Sequence, residues 1–346
     1  MSRGRSYQRG SLAFSTTKRI KPLRGVRSSH QVAHTEVSSP NLQHYVYAGE
    51  DGQGRFRGLS FRFRIGTAVL HGKEKISIGT SGWSYPDWVG PFYPEGAVAR
   101  DFLSAYTQKF SVVEVDSTFY ALPSATTVEN WARRTPEEFR FALKVPGTVT
   151  HGQRGERPNV SQVLRDPAGE LERFLELLQL LGERLAVVLF QFPYFRVKEF
   201  AVGEFLSRLA STLSTLPQGK RFAVEVRNKS WIGPELLGLL REHRVALAFL
   251  DHPYMPLPKA QAMPGRLTAD FAYVRLLGDR YAIEKRTKKW GEPVLDRESR
   301  LREWAEILVE LAANSSISNV FAFANNHFSG HGPATCRQLS AFLHDG

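Results

Sequence analysis

The chain has 346 residues, 42% of them hydrophobic, which is enough for one large domain or two small ones. Its single cysteine, Cys336, excludes an internal disulfide framework and favours a reducing, cytoplasmic location. No apolar run reaches the length of about 18 residues that a membrane-spanning helix needs, so the sequence predicts no membrane partner.

The net charge of +12 is concentrated at the N terminus. Residues 1–75 hold 14 Lys and Arg against 4 Asp and Glu, whereas residues 76–346 are close to neutral. This segment is rich in Arg, Ser and Gly and has no hydrophobic period, so we predict a basic extension of low order before a folded domain at 76–346. Three interpretations stay open for it: an arm in weak contact with nucleic acid, a transit peptide, or an extension from a start codon placed too far upstream.

Short apolar runs alternate with amphipathic segments along residues 76–346. The runs predict eight strands, at Ile76–Gly79, at the start of Val112–Tyr120, and at Arg140–Val145, Ala186–Gln191, Phe222–Arg227, Val245–Asp251, Ala272–Leu276 and Asn319–Ala324. Apolar residues at helical spacing predict helices around Phe102–Phe110, Thr127–Arg134, Leu171–Leu181, Val202–Leu213 and Leu301–Leu311, and after Pro234 and Pro333.

Eight strands that mostly alternate with helices predict an α/β fold, a (β/α)8 TIM barrel. A doubly wound open sheet is the alternative. The weakest part of the pattern is His252–Asp270, which contains four prolines. We expect a long loop there, with at most a short helix.

Polar residues gather where the predicted strands end. Glu114 and Asp116 are two residues apart on one strand, so their side chains share a face, and buried acids need a partner or a function. Other polar and aromatic residues lie at the same end of the strands: Ser81, Trp83, Tyr120, Lys144, Gln191, Glu225, Arg227, Asp251, Arg275, Asn325, Asn326 and His327. Barrel enzymes build their active sites at this end, so we expect the site there.

Several dispersed motifs carry a resemblance to a known family. They are Gly79–Trp88, Phe92–Pro94, Val113–Tyr120, Phe141–Lys144 with Thr150 and His151, Gln191–Pro193, Glu225–Arg227 with Ser230 and Trp231, Tyr273–Arg275 and Phe323–Asn326. Together they resemble the domain of unknown function 72, or YecE-like, family from residue 76 to about residue 345. The resemblance implies a TIM barrel and brings no assigned activity. Two positions depart from the family's usual pattern, with Asp116 in place of Asn and Leu277 in place of His.

Charged residues at the predicted barrel mouth suggest acid–base chemistry on a polar, anionic substrate. We expect Glu225 to act as general acid or base, with Glu114 and Asp116 as further catalytic carboxylates. Lys144, held among apolar strand residues, is expected to have a lowered pKa and to act as a base or Schiff-base amine. The alternative is an ion-pair lattice that neutralises the barrel interior, for instance Glu225 with an arginine.

The remaining candidates are assigned to substrate binding. Arg227 and Arg275, with Lys144, are expected to bind an anionic group. Trp83 is expected to stack on a ring, as Trp231 could, although packing over the barrel top would also explain these aromatic residues. The other predicted substrate-binding residues are Tyr120, His151, Gln191, Asp251, Asn325 and Asn326.

The sequence assigns no metal ligands and leaves the cofactor unknown. His151, His252, His327 and His331 supply enough ligands for a metal but show no close metal-binding spacing, and no nucleotide-binding glycine motif is present. The favoured function is therefore an enzyme acting on a polar, phosphate- or sugar-containing compound. The alternatives are a nucleic-acid-binding protein or metal-dependent endonuclease-like barrel, and a non-catalytic ligand sensor. The sequence predicts no oligomeric state.

Overall fold

The computed structural model describes residues 72–344 except 154–156, 167–168, 257 and 262–263. The predicted basic extension lies outside these residues apart from Gly72–Lys75, so its division from the domain at residue 75 stays a prediction. Lys75 belongs with the folded part, since its ammonium donates hydrogen bonds to the carbonyls of Ala312 and Ile317. Within the described ranges, no helix is both long and apolar enough to cross a membrane.

Eight parallel strands form the sheet at the centre of the molecule. They are β1 (Ile76–Thr80), β2 (Val112–Val115), β3 (Arg140–Lys144), β4 (Leu185–Gln191), β5 (Phe222–Glu225), β6 (Ala246–Asp251), β7 (Phe271–Leu276) and β8 (Asn319–Ala324). The order is β1-β8-β7-β6-β5-β4-β3-β2. A parallel bridge between Ser81 and Glu114 joins β1 to β2, and the Gly82 amide donates to the Glu114 carbonyl at 2.7 Å. The predicted TIM barrel is therefore confirmed, against an open sheet.

Helices lie between the strands. They are α1 (Phe102–Thr107), α2 (Ala125–Arg133), α3 (Gly147–Thr150), α4 (Glu170–Leu178), α5 (Val202–Ser214), α6 (Pro234–Glu242), α7 (Pro258–Gln261), α8 (Arg280–Glu284), α9 (Glu298–Ala313) and α10 (Gly332–His344). The short α3 and α8 were not predicted, because four or five residues show no helical period. α7 is the short helix expected within His252–Asp270. Its Gln261 side chain bonds both the amide and the carbonyl of Leu250, which fixes this loop to β6.

Alternate residues of each strand face opposite layers. One set, which includes Ala142, Leu189, Ala223 and Tyr273, packs inside the barrel. The other set packs against the helices with the main hydrophobic core. Because side chains alternate along a strand, this parity decides which polar residues at the strand ends point into the barrel mouth.

Candidate active site

Arg275 is the centre of the charged cluster at the carboxyl ends of the strands. Its Nε and Nη2 donate to the two carboxylate oxygens of Glu114, each at 2.7 Å. Its Nη1 donates to Oε2 of Glu225. Both glutamates are completely buried and Arg275 is 4% exposed. A bidentate contact between an arginine and a carboxylate gives a strong and directional ion pair.

Glu114 has four hydrogen-bond donors. Besides the two from Arg275, the Ser81 hydroxyl donates to Oε1 and the Tyr273 hydroxyl donates to Oε2, both at 2.8 Å. Tyr273 was not among the sequence candidates. Its position two residues before Arg275 on β7 places it on the same strand face, which is the signal that could have identified it.

Glu225 is bound by two arginines, because Arg227 Nε donates to its Oε1 at 3.1 Å while Arg275 holds Oε2. Burial alone would raise the pKa of Glu225, but the charges of Arg275 and Arg227 overcome this effect and lower the pKa to about 2. Glu225 is therefore held as a carboxylate with both oxygens occupied. This arrangement matches the ion-pair alternative better than the expected role as general acid. We call Glu114, Arg275, Glu225 and Arg227 the ion-pair network.

Lys144 stands beside this network without joining it. Its side chain is 8% exposed at the end of β3, and its Nζ lies 4.4 Å from the centre of the Phe119 ring. With the described residues the ammonium forms no hydrogen bond and no ion pair. Burial, and then the charge of Arg275, lower the pKa of Lys144 to about 8, although Glu114, Asp116 and Glu225 act in the opposite direction.

Asp116 lies directly after β2, near Lys144. Burial raises the pKa of Asp116, and the charge of Glu114 adds to this, while Lys144 opposes it. Tyr85 lies close by, since a side chain at Gly82 (φ +80°) would meet both the Tyr85 ring, at 3.0 Å, and Asp116 Oδ1, at 3.3 Å. Glycine at position 82 therefore leaves room for these two groups above β1.

Two histidines border the same region in their neutral form. His151 is buried, with its Nδ1 3.0 Å from the Thr150 hydroxyl. Burial and the charges of Lys144 and Arg227 lower the pKa of His151 to about 3. Burial and Arg227 lower the pKa of His252 to about 4. The sequence had suggested His252 only as a metal ligand. His252 follows β6 and has the parity of the residues that pack inside the barrel, so it belongs to the mouth.

Trp231 packs away from the mouth, in the outer layer. It is 5% exposed, its ring stacks on Phe195 with centroids 5.7 Å apart, and it also packs on Phe200 and Phe205. The Trp231 ring is therefore packed within the hydrophobic core, which corrects the expectation that it forms a stacking platform for a ligand.

Asp251 and Asn326 also face the helices. Trp304 Nε1 of α9 donates to Asp251 Oδ2 at 2.7 Å, and Arg300 Nε lies 3.4 Å from the same oxygen. Asn326 Oδ1 accepts a hydrogen bond from the Gly332 amide at the start of α10. Both residues have the outward parity, so the structure does not bring them together with Lys144.

The remaining predicted residues lie at the rim or on its walls. Trp83 is half-buried, with its ring edge-on to Trp131 at 5.7 Å. Tyr120 is 65% exposed. Gln191 is buried and donates to the Phe192 carbonyl at 2.9 Å, and Asn325 Oδ1 accepts from the His327 amide. Across the described ranges, no three His, Cys, Asp or Glu side chains are grouped so that they could hold a metal ion.

Comparison with known proteins places this barrel in a family. The model of "Protein of unknown function DUF72" matches residues 77–346. The chain belongs to this family. DUF72 relatives include the UPF0759 protein YunF of Bacillus subtilis, 28% identical over 279 residues that cover 78% of this chain and 94% of YunF. The UPF0759 protein YecE of Escherichia coli is 31% identical over 153 residues, 44% of this chain and 48% of YecE.

Solved DUF72 structures have the same fold. A protein from Thermotoga maritima is 28% identical, with a TM-score of 0.57 over 78% of this chain and 99% of its own. One from Enterococcus faecalis, at 21% identity and a TM-score of 0.56, shows the fold alone. The resemblance inferred from the dispersed motifs is confirmed.

Proposed function

We propose that this protein is an enzyme that transfers protons on a polar, anionic small molecule at the barrel mouth. Lys144 serves as the base and Asp116 as its acid partner. The observation that carries the proposal is the state of Lys144: a buried amine that lies over the Phe119 ring and forms no hydrogen bond or ion pair with the described residues. Its pKa is lowered and that of Asp116 is raised, and strongly perturbed pKa values cluster at functional sites.

Arg227 is the best candidate to hold the anionic group. Its Nε is bound to Glu225, while its terminal nitrogens form no hydrogen bond or ion pair with the described residues. Its side chain is 31% exposed, so a ligand can reach it. A guanidinium with two free N–H edges suits a carboxylate or phosphate. Arg275, by contrast, already uses three nitrogens on glutamates, which argues against the ligand contact expected for it.

The ion-pair network supplies a fixed electrostatic frame for this chemistry. Glu225 remains charged at neutral pH and holds Arg227 in place, and Arg275 helps to lower the pKa of Lys144. With a pKa of about 8, roughly a tenth of the Lys144 amine is unprotonated at pH 7. A free amine of that basicity can accept a proton from a substrate at neutral pH.

Native mass spectrometry of the full chain purified from cells tests the anion site. We expect a co-purified anion that is lost in Arg227→Gln and kept in Arg196→Gln, a matched change at an exposed arginine after β4. Equal retention in both variants would contradict the role of Arg227. Once the anion is identified, Lys144→Met should abolish its conversion. Binding without conversion by the unaltered chain would favour the ligand-sensor alternative.

Exposed tyrosines favour a second candidate, binding of single-stranded nucleic acid. Tyr194, Tyr254 and Tyr281 are 60%, 72% and 74% exposed; Tyr194 and Tyr254 lie in loops after β4 and β6, and Tyr281 lies in the short α8 after β7. Four exposed cationic residues follow Tyr281: Lys285, Arg286, Lys288 and Lys289. Aromatic faces stack on bases while cations neutralise phosphates.

Fluorescence anisotropy with a labelled single-stranded oligonucleotide at several salt concentrations tests this candidate. The double variant Tyr254→Ser, Tyr281→Ser should weaken binding at every salt concentration, because stacking does not depend on salt. Binding that is unchanged in this variant but steeply salt-dependent would assign the affinity to charged residues, including the predicted basic extension, and not to the tyrosines.

A further inference from the structure

We propose that Lys144 is a nucleophile that forms a covalent imine with the carbonyl carbon of a small anionic aldehyde or ketone. The inference rests on the proposed function for the position of the site, and it adds the bond that is formed and the class of substrate. It follows from the contacts around Lys144, from the adjacent acid and from the position of the free arginine.

The environment of Lys144 leaves its amine available to react. The backbone is fixed, because the Lys144 carbonyl accepts a hydrogen bond from the Thr118 hydroxyl at 2.7 Å. The aliphatic stem is buried in the barrel wall, and the face of Phe119 lies under the amine. A lysine in an ion pair is held protonated and unreactive, but Lys144 has no such partner among the described residues. Burial and Arg275 also favour its neutral form, which is the form that attacks a carbonyl.

Asp116 can supply the proton that imine formation requires. The Lys144 nitrogen forms a C–N bond to the carbonyl carbon while the C=O electron pair moves to oxygen, and a proton passes from nitrogen to that oxygen. The resulting carbinolamine loses water when a carboxylic acid donates a proton to its hydroxyl group, which leaves a protonated imine. Burial raises the pKa of Asp116, so its acid form persists to higher pH than usual. Addition of water reverses the sequence, and no oxidant or reductant is needed.

Arg227 provides the contact for an anionic group on the same substrate. Lys144 ends β3 and Arg227 follows β5, both at positions whose parity points into the barrel mouth, and the charges of both lower the pKa of His151. A compact substrate can therefore place its carbonyl at Lys144 and its anionic group at Arg227. His151 and His252 stay neutral and add no charge that would compete with either contact.

Reductive trapping tests the inference on the full chain. The protein is incubated with glyoxylate, an anionic aldehyde, and sodium cyanoborohydride, which converts an imine into a stable secondary amine. Peptide mass spectrometry then compares Lys144 with Lys229, an exposed lysine after β5. We expect Lys144 to react at least about tenfold faster at pH 7, since a lysine of ordinary pKa is almost entirely protonated there. Its rate should rise steeply between pH 6 and 8. Labelling of Lys144 no faster than Lys229 would overturn the inference.

A neutral probe separates this inference from the proposed anion site. With acetaldehyde as a second probe, the ratio of the glyoxylate to the acetaldehyde labelling rate at Lys144 should fall several-fold in Arg227→Gln relative to the unaltered chain. Equal labelling by both probes in both proteins would keep the imine and reject the anion site. Loss of a co-purified anion in Arg227→Gln without any Lys144 adduct would keep the anion site and reject the imine. The comparison of Lys144 with Lys229 within one protein needs no variant, so it does not depend on a variant's folding.

Discussion

Buried charged groups have ion-pair partners on one side of the barrel mouth and lack them on the other. On one side, Arg275 and Arg227 bind both oxygens of Glu225, and Arg275 binds both oxygens of Glu114. On the other side, Lys144 is nearly as buried, and no described residue forms a hydrogen bond or an ion pair with its ammonium. Burial and charge are therefore similar on the two sides, and the partners differ. Removal of one partner from a buried ion pair destabilises the fold, whereas a buried charge without a partner is available to a ligand.

Removal of Arg275 should have the largest effect on stability. Arg275→Met leaves two buried glutamates without their main counterion, and breaking a buried ion pair typically costs about 3–5 kcal/mol. We expect a loss of that size in the free energy of unfolding, measured with urea at pH 7. The folded pKa of Glu225 is about 2, below its ordinary 4.5, so its stabilising contribution is complete above pH 4.5 and is lost as the pH falls toward 2. The difference in the free energy of unfolding between Arg275→Met and the parent should therefore become smaller as the pH falls from 4.5 toward 2.

Replacement of Lys144 should raise the free energy of unfolding, whereas replacement of Arg275 lowers it. The folded pKa of about 8 lies below the ordinary 10.5, so protonated Lys144 destabilises the fold below pH 8 and this cost disappears above pH 10.5. The shift corresponds to about 3 kcal/mol, which Lys144→Met should gain at pH 7. Urea unfolding between pH 7 and 10.5 should show the parent approaching the variant as the pH rises. A variant that is less stable than the parent at pH 7 would mean that Lys144 has a stabilising partner.

Most of the fold was predictable because each strand is a short apolar run that recurs at regular intervals. Asn319–Ala324 matched the predicted range completely, and the other strands agreed within a few residues. Dispersed motifs such as Val113–Tyr120 identified the family as well. The short α3 was missed, since four residues are too few to show a helical period. Its formation depends on the surrounding barrel.

The site was only partly predictable, because position at a strand end does not fix direction. Asp251 comes at the end of β6, yet its parity turns it toward the helices, and Trp231 lies in a turn beyond β5 that packs its ring on Phe195. Tyr273, in contrast, was not predicted as a site residue. It lies two residues before Arg275 on the same strand, so its side chain points into the barrel as that of Arg275 does. Pairing was harder still to predict, because the sequence is compatible with an ion-pair lattice and with an unpaired Lys144, and the structure shows that the two coexist.

The smallest expected effect concerns Asp116 and provides a matched test of the two sides. Asp116→Asn and Glu225→Gln make the same chemical change at two carboxylates of one mouth, of which Glu225 is buried and Asp116 is half-buried. Glu225→Gln should lose about 2 kcal/mol or more, because it removes a charge that two arginines bind. The folded pKa of Asp116 is raised above its ordinary value, so the ionised group destabilises the fold at neutral pH. Asp116→Asn should therefore be neutral or slightly stabilising at pH 7, within about 1 kcal/mol.

The difference in stability between Asp116→Asn and Glu225→Gln should depend on pH. Below the ordinary pKa of Asp116, 3.8, the carboxyl is protonated in both folded and unfolded chains, so any advantage of the asparagine should vanish there. Urea unfolding of the three proteins at pH 7 and at pH 3.5 is sufficient. If Asp116→Asn lost as much stability at pH 7 as Glu225→Gln, Asp116 would be a structural counterion of Lys144. Both groups of charges would then be paired, and the acid partner assigned to Lys144 would have to be another group, such as Tyr85, which lies close to Asp116.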